Sequence, residues 1–122
     1  MPQMRPLDPA FPIDRQIALD NGPVVLVNVF TLDAADEQSF LKTWQDDAAF
    51  MKRQPGFIST QLHRAIGDSP TYLNYAVWES NADFRAAFTH PEFRAKIAVY
   101  PASAVASPHL FQKVAVAGIC VA

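Results

Sequence analysis

The stretch at residues 22–32, "GPVVLVNVFTL", limits what this chain can fold into more than any other stretch. It is almost continuously apolar. As a strand it would point Leu26, Asn28 and Phe30 to one face and three valines to the other. A strand that is apolar on both faces is typical of a sheet that is covered on both sides. Its single amide, Asn28, therefore needs a buried hydrogen-bond partner or a function.

The composition fits one globular domain with a hydrophobic core. Of 122 residues, 50% are hydrophobic and 18% are charged, which argues against disorder. The formal net charge is -2 and no lysine or arginine cluster occurs, so a nucleic-acid partner is not expected. No apolar run approaches the roughly 18 residues of a membrane span, and we expect no membrane association and a cytoplasmic location.

The two ends of the chain are predicted to lie outside the domain at residues 22–116. Four prolines interrupt residues 1–21 and leave no continuous apolar segment, so we expect an irregular arm, draped over a neighbour, and no secretory signal. Residues 117–122 are expected to be a tail. Cys120, the only cysteine, rules out an intrachain disulfide and is interpreted as an unreactive thiol.

The order of elements predicts the topology. After the first strand comes a helix with acids at its start, where Asp33 and Asp36 resemble a capping box, and with Pro55-Gly56 at its end. Helical spacing places an apolar stripe on one face of this helix, formed by Phe40, Leu41, Trp44, Ala48 and Met51. Strands are predicted at residues 57–66, 71–80 and 109–116. Two short helices lie between the last two strands, the first capped by Ser80 and Asp83. The second begins at Pro91 and carries Phe93, Ile97 and Tyr100 on one side.

The order βαββαβ indicates an α+β, ferredoxin-like fold: a four-stranded antiparallel sheet with both helices on one face. Right-handed crossovers would place the first and third strands in its centre. The helices cover one face only, yet Val25, Val27 and Val29 point to the other. We therefore expect a homodimer that packs sheet against sheet, with Tyr75 on the shared face.

Three segments together resemble a known family. The segments "VNVF", "QPGFISTQLHR" and "YAVWES…F…HPEFR" are similar to the antibiotic biosynthesis monooxygenase (ABM) domain, a group of dimeric α/β barrels, across residues 22–116. The resemblance implies an active site between the sheet and its helices. Some members oxidise polycyclic aromatic quinols or anthrones with O₂ and no cofactor. Others degrade haem, act on small signalling or quinone compounds, or have no known substrate.

The haem-degrading branch resembles this chain at Asn28 and departs from it elsewhere. Counted from Trp78, the position of its haem-ligating histidine falls at Ile97, and that of its tryptophan at Ala87. Isoleucine cannot ligate iron. His63, His90 or His109 would replace that ligand only with a different haem pose, so haem degradation is a minor alternative.

Three residues are candidate catalytic residues. Asn28 either orders the core or donates from its NH₂ group to a substrate carbonyl or phenolate. Trp78 is either core or a flat wall against an aromatic ring. His63, which shares a strand face with Ser59 and Gln61, is either an exposed edge-strand histidine or the base that accepts a proton from the substrate.

Other residues are candidates for binding the substrate. Asp47 is either a solvated rim charge or a pocket carboxylate with a raised pKa, which would make it the alternative base. Asn74 is a second strand amide that raises the same question as Asn28. Phe30, Phe50 and Phe88 are candidate pocket walls. His90 is better explained as a helix cap, and His109 as a solvated loop residue.

The sequence predicts no metal and no bound cofactor, because it contains no metal-ligand spacing, glycine-rich phosphate loop or nucleophile motif. Our interpretation is a cofactor-independent monooxygenase that oxidises a phenol, quinol or anthrone with O₂. The alternatives are a dimeric small-molecule binding module without turnover and, less favoured, a haem-binding protein.

Overall fold

The doubly apolar stretch forms a central strand of a five-stranded sheet. The computed structural model describes residues 2–122. In chain order the elements are β1 (Gln3–Met4), α1 (Ile13–Gln16), β2 (Val24–Thr31), a 3₁₀ turn (Ala34–Asp36), α2 (Glu37–Lys52), β3 (Phe57–Arg64), β4 (Thr71–Trp78), α3 (Asn81–Phe88), α4 (Pro91–Ile97) and β5 (Val105–Phe111). Among the described residues, no helix is both long and apolar enough to span a bilayer.

The sheet order is β1-β5-β2-β4-β3, so the first and third predicted strands, β2 and β4, lie in the interior as expected. All neighbours pair antiparallel except β1, which runs parallel to β5. The prediction of a four-stranded, purely antiparallel sheet was therefore wrong. The sheet has a fifth strand, and because that strand pairs in parallel, the sheet is mixed. The α+β, ferredoxin-like architecture itself is confirmed.

The additional strand comes from the segment that was predicted to be irregular. Its backbone joins the sheet edge, where the N–H groups of Gln3 and Arg5 donate to the carbonyl groups of Ala104 and Ala106 at 2.9 and 2.8 Å. Helix α1 follows, and its Ile13 lies buried in the same core as β2. The four prolines stop regular structure from extending, but Ile13 and Ile17, which follow the last proline, still bury apolar area on the chain's own domain.

The last strand starts four residues earlier than predicted, and Pro108 lies inside it. The backbone groups of Ala104 and Ala106 point toward β1. Because successive residues of a strand direct their backbone groups to alternate sides, the nitrogen of Pro108 points to the same edge, beyond the end of β1. The missing N–H group therefore breaks no bond to β2. His109, expected in a solvated loop, is a half-buried strand residue with Nε2 3.0 Å from the side-chain nitrogen of Gln16.

Two of the three predicted helix starts are confirmed. The Ser80 hydroxyl accepts from the Asp83 N–H at 3.1 Å, and His90 Nδ1 accepts from the Glu92 N–H at 3.0 Å with Pro91 as the first helical residue. The capping box at Asp33 was wrong. Its side chain caps nothing, and a 3₁₀ turn intervenes before α2.

The two faces of the sheet differ in cover. Helices α2 to α4 bury one face, and their large buried side chains include Phe40, Phe50, Phe84, Phe88 and Phe93. Leu41, predicted on the buried face of α2, is 42% exposed, and Phe50 is buried instead. On the other face Tyr75 and Phe111 are 42% and 43% exposed. Val25 on that face is buried, whereas Val27 and Val29 are only half-buried.

Candidate functional site

Two asparagines oppose each other on the helix side of the sheet. The register of β2 and β4 pairs Asn28 with Asn74, and the alternation places both between the strands and α2. Asn74 Oδ1 accepts from the Thr60 hydroxyl at 2.5 Å, which fixes the amide and leaves its NH₂ group for another acceptor. Asn28 Oδ1 is buried without a hydrogen-bond partner among the described residues.

A carboxylate faces these amides from α2. Asp47 Oδ2 accepts from the Tyr100 hydroxyl at 2.7 Å, while Oδ1 is buried and has no partner in the described part of the chain. Burial raises the pKa of Asp47 to about 6, although the Tyr100 hydrogen bond and the charge of Lys96 act in the opposite direction. Asp47 is therefore a pocket carboxylate and not a solvated rim charge.

Tyr100 holds this carboxylate in place. Its ring is buried and stacks on Phe30, with centroids 5.7 Å apart. Burial, together with the adjacent charge of Asp47, raises the pKa of Tyr100, so the hydroxyl keeps its proton and donates it. Helical spacing predicted only that Tyr100 lies on the apolar side of the last helix. Its contact with a residue 53 positions earlier left no local signal.

Two small hollows meet at Asn28, Phe30 and Asp47. The inner hollow, of about 50 Å³, is lined by those three residues and by Leu26, Trp44, Ala48, Met51, Phe57, Thr60, Asn74, Ala76 and Trp78. The outer hollow, of about 120 Å³, is lined by the same three and by Pro2, Met4, Phe88, Arg94, Ile97, Tyr100, Ala106 and Pro108. The amide of Asn28 and the carboxylate of Asp47 therefore belong to the lining of both hollows.

Trp78 combines the two roles that the sequence left open. It is 1% exposed, and its ring forms edge-to-face contacts with the rings of Phe57 and Phe84, with centroids 5.5 and 5.7 Å apart. It also lines the inner hollow. The ring is therefore a core residue whose remaining surface forms a flat wall beside the two amides.

The structure does not bring every predicted site residue to these hollows. His63 lies on the outer face, paired with Leu73, so the sheet separates it from Asn28. Phe50 is fully packed in the core against the His90 ring and lines neither hollow. Phe88 lines the outer hollow and Asn74 the inner one. Of the two proposed bases, only Asp47 is near the amides.

The hollows offer little to a haem or a metal ion. None of the three histidines lines either one, and Ile97, which lines the outer hollow, has no lone pair to ligate iron. Among residues 2–122, no group of three or more histidine, cysteine, aspartate or glutamate side chains is arranged to hold a metal ion. A haem ligated by histidine does not fit these hollows.

The arrangement is suited to chemistry on an acidic C–H or O–H group. The ionised Asp47 can accept a proton, and the amide NH₂ groups of Asn28 and Asn74 can donate to a developing oxyanion. The surrounding side chains, among them Phe30 and Trp78, exclude water, which strengthens both interactions.

Known proteins resemble this chain in sequence. Residues 23–99 match the model of the family described as "Antibiotic biosynthesis monooxygenase". The chain is 36% identical to deoxynogalonate monooxygenase of Streptomyces nogalater over 75 residues, 62% of this chain and 63% of that protein. It is 37% identical to tetracenomycin-F1 monooxygenase of Streptomyces glaucescens over 71 residues, 57% of this chain and 62% of that protein. The chain therefore spans under two thirds of both relatives.

Solved structures resemble the fold over a longer range. The structure of SnoaB, described as a cofactor-independent oxygenase from Streptomyces nogalater, is 30% identical and superposes with a TM-score of 0.68 over 80% of this chain and 99% of SnoaB. A putative monooxygenase from Shewanella loihica is 29% identical with a TM-score of 0.67, again over 80% of this chain and 99% of the other.

Proposed function

The chain belongs to the antibiotic biosynthesis monooxygenase family, and on that basis we propose that it is a cofactor-independent monooxygenase acting on a small electron-rich aromatic substrate, a phenol, quinol or anthrone. One observation carries the proposal. Asn28 and Asp47 each present a buried side-chain oxygen without a partner among the described residues, and both residues line the same hollows. Unpaired buried polar atoms are unfavourable by about 1–3 kcal/mol each, so a function accounts for keeping them.

For an anthrone the reaction balances without a redox group from the protein. Asp47 removes a proton from the methylene carbon, and the amides stabilise the negative charge on the conjugated oxygen. The carbanion reduces O₂ and forms a C–O bond, and the peroxide anion takes the proton back from Asp47. Loss of the second C–H proton and cleavage of the O–O bond then give the quinone and one water molecule.

The environment of Asp47 suits this role. Its pKa of about 6 means that the group is ionised at pH 7.5, and it is a stronger base than an ordinary aspartate. The Tyr100 hydroxyl holds Oδ2, and Oδ1 has no hydrogen-bond partner among the described residues. The substrate anion is itself the reductant, so the protein's tasks are deprotonation, positioning and exclusion of water.

The test is O₂ uptake and quinone formation by metal-free protein with a panel of anthrones and quinols. We expect turnover above autoxidation. Asn28→Ala should lower kcat/KM by about 10²-fold, because one oxyanion donor is lost. Gln61→Ala, an exposed polar residue on the outer face of β3, is the control and should leave kcat/KM unchanged. Autoxidation alone across the panel would contradict the proposal.

The same experiment separates the alternatives. Saturable quenching of tryptophan fluorescence by an aromatic ligand, without O₂ uptake, would favour a binding module. Titration with hemin checks the haem alternative, and we expect no specific shift of the Soret band because no histidine lines the hollows.

We further propose that two copies pair through the outer face of the sheet. Val27 and Val29 are only half-buried there, and Tyr75 and Phe111 are more than two fifths exposed, although all four are apolar or aromatic. A contiguous apolar surface of this kind is typical of an interface. The partner would cover it as α2 to α4 cover the other face.

A further inference from the structure

The inner hollow by itself is too small for a polycyclic substrate. Ligand pockets usually measure about 300–1,000 Å³, whereas the inner and outer hollows have about 50 and 120 Å³. A third cavity, of about 260 Å³, lies beside the outer hollow; we call it the entry groove. It shares four lining residues with the outer hollow, namely Met4, Phe88, Arg94 and Pro108. The three cavities together reach the usual range.

The outer part of this passage is built by residues 2–14. Pro2 and Met4 line the outer hollow, and Arg5, Ile13 and Asp14 line the entry groove. The segment is anchored, because β1 pairs with β5 and Ile13 is buried in the core. It forms a fixed wall opposite α4.

That wall lies outside the family match, which begins at residue 23. The solved relatives are covered over 99% of their own length but cover 80% of this chain, so about a fifth of this chain has no counterpart in them. The amide and carboxylate at the inner end belong to the matched region. The passage thus joins a family site to a wall that this chain adds.

The mouth of the passage carries an unneutralised positive charge. The Arg94 guanidinium lies 4.6 Å from the centroid of the Phe88 ring and lines both the outer hollow and the entry groove. It forms no ion pair within residues 2–122. Arg5 lines the same groove, and Asp14 is the one acid among its lining residues.

We propose that a polycyclic substrate extends from the inner hollow to the entry groove, and that Arg94 binds a carboxylate substituent at its outer end. Guanidinium and carboxylate groups match in geometry and charge, and the apolar wall of residues 2–14 limits which ring systems fit. This proposal rests on the proposed function for its inner end. Residues 2–14 then determine specificity, and the amide and carboxylate perform the chemistry.

The experiment measures binding without turnover, so it does not depend on the oxygenase reaction. The probes are a dihydroxyanthraquinone carboxylic acid and its neutral carboxamide, followed by quenching of tryptophan fluorescence. The wild type should bind the acid about five- to tenfold more tightly than the amide. Arg94→Gln should remove that preference, and Arg94→Lys should keep part of it. Arg53→Gln is the matched control, because Arg53 is an exposed arginine near α4 that does not line the passage.

A second pair of variants tests the wall. Met4 and Leu7 are both 52% exposed, but only Met4 lines the passage. Met4→Trp should weaken binding of both quinones at least about fivefold by filling the outer hollow, and Leu7→Trp should not. Equal binding of acid and amide by the wild type, or equal effects within either variant pair, would overturn the proposal. Anthrone oxidation could still occur in that case, so the two proposals fail separately.

Discussion

The two faces of one sheet differ in what their polar residues do. On the helix side, β2 and β4 place Asn28 opposite Asn74 in a buried setting. On the outer side the same strands place Val27 opposite Tyr75, and the adjacent strand β3 contributes the exposed His63 and Gln61. The covered face thus contains polar groups that are unfavourable to bury, and the uncovered face contains apolar groups that are unfavourable to expose. The occupants that we propose are a substrate on the helix side and a second copy on the outer side.

Among the variants that test this difference between the faces, we expect the largest effect from a change at Asp47, and we expect it on activity. Asp47→Asn should lower kcat/KM by about 10²–10⁴-fold, because the amide keeps the shape and the Tyr100 contact but cannot accept the substrate proton. In the wild type kcat/KM should rise with pH to a plateau, with an apparent pKa near the value of about 6 for Asp47. A pH–rate profile of both proteins checks this. A variant that keeps the same rising limb would exclude Asp47 as the base.

The next largest effect is expected on the outer face. Val27→Asp should raise the dimer dissociation constant by about 10²–10³-fold, because a buried unpaired carboxylate costs several kcal/mol. Light scattering after size exclusion should then give the monomer mass of 13.5 kDa in place of twice that value. Gln61→Asp, on the same face but exposed at the sheet edge, is the control and should remain dimeric. A wild type that is monomeric at all concentrations would contradict the interface.

A smaller effect is expected on stability. The folded-state pKa of Asp47 is raised from its ordinary value of 3.8 to about 6, so the folded protein binds the proton more tightly than the unfolded chain does. The unfolding free energy should therefore fall as the pH rises from about 4 to about 6, by up to about 3 kcal/mol from this group. The Asp47→Asn variant should not show this fall in unfolding free energy, because its amide does not titrate between pH 4 and pH 6.

Urea unfolding at several pH values isolates the contribution of Asp47. Because other carboxyl groups titrate in the same range, the informative quantity is the difference between Asp47→Asn and the wild type. That difference should grow in favour of the variant from pH 4 to pH 6 and stay constant above about pH 7. A pH-independent difference would mean that the carboxyl is not destabilised by burial.

The smallest effect is expected at His63. Its ring lies across the sheet from Asn28, so His63→Ala should change kcat/KM by less than about twofold. The assay is the one used for Asp47→Asn. A loss comparable to that of Asp47→Asn would mean that His63 reaches a site through the partner subunit, and the separation of the two faces would no longer hold.

The sequence predicted part of this difference between the two faces. Alternation along β2 correctly put Asn28 with Leu26 and Phe30 on one face, because side-chain direction in a strand has a strict period of two. Alternation also grouped His63 with Ser59 and Gln61, but it could not show that this group faces outward. A register irregularity between Phe57 and Ser59 puts Phe57 on the helix side and Ser59 on the other.

The rotation of α2 about its own axis explains the remaining differences between the predicted and the observed positions of its side chains. A period of 3.6 residues predicted the apolar stripe of α2, yet Leu41 at its edge is exposed and Phe50 is buried. A small rotation decides which border residues turn inward, and only packing against the sheet sets it. Asp47 at that border was left open between rim and pocket for the same reason.

The sequence by itself determined the order of the strands and α-helices from β2 to β5, the apolar character of both faces of β2, two of the helix caps and the face that carries Asn28. These depend on residues close together in the chain, whose geometry repeats with a fixed period. The tertiary structure alone decided that Asn74 opposes Asn28, that Tyr100 holds Asp47, and that residues 2–14 build a wall beside them. Each of these depends on strand register or on packing between segments distant in the chain, which no local pattern encodes.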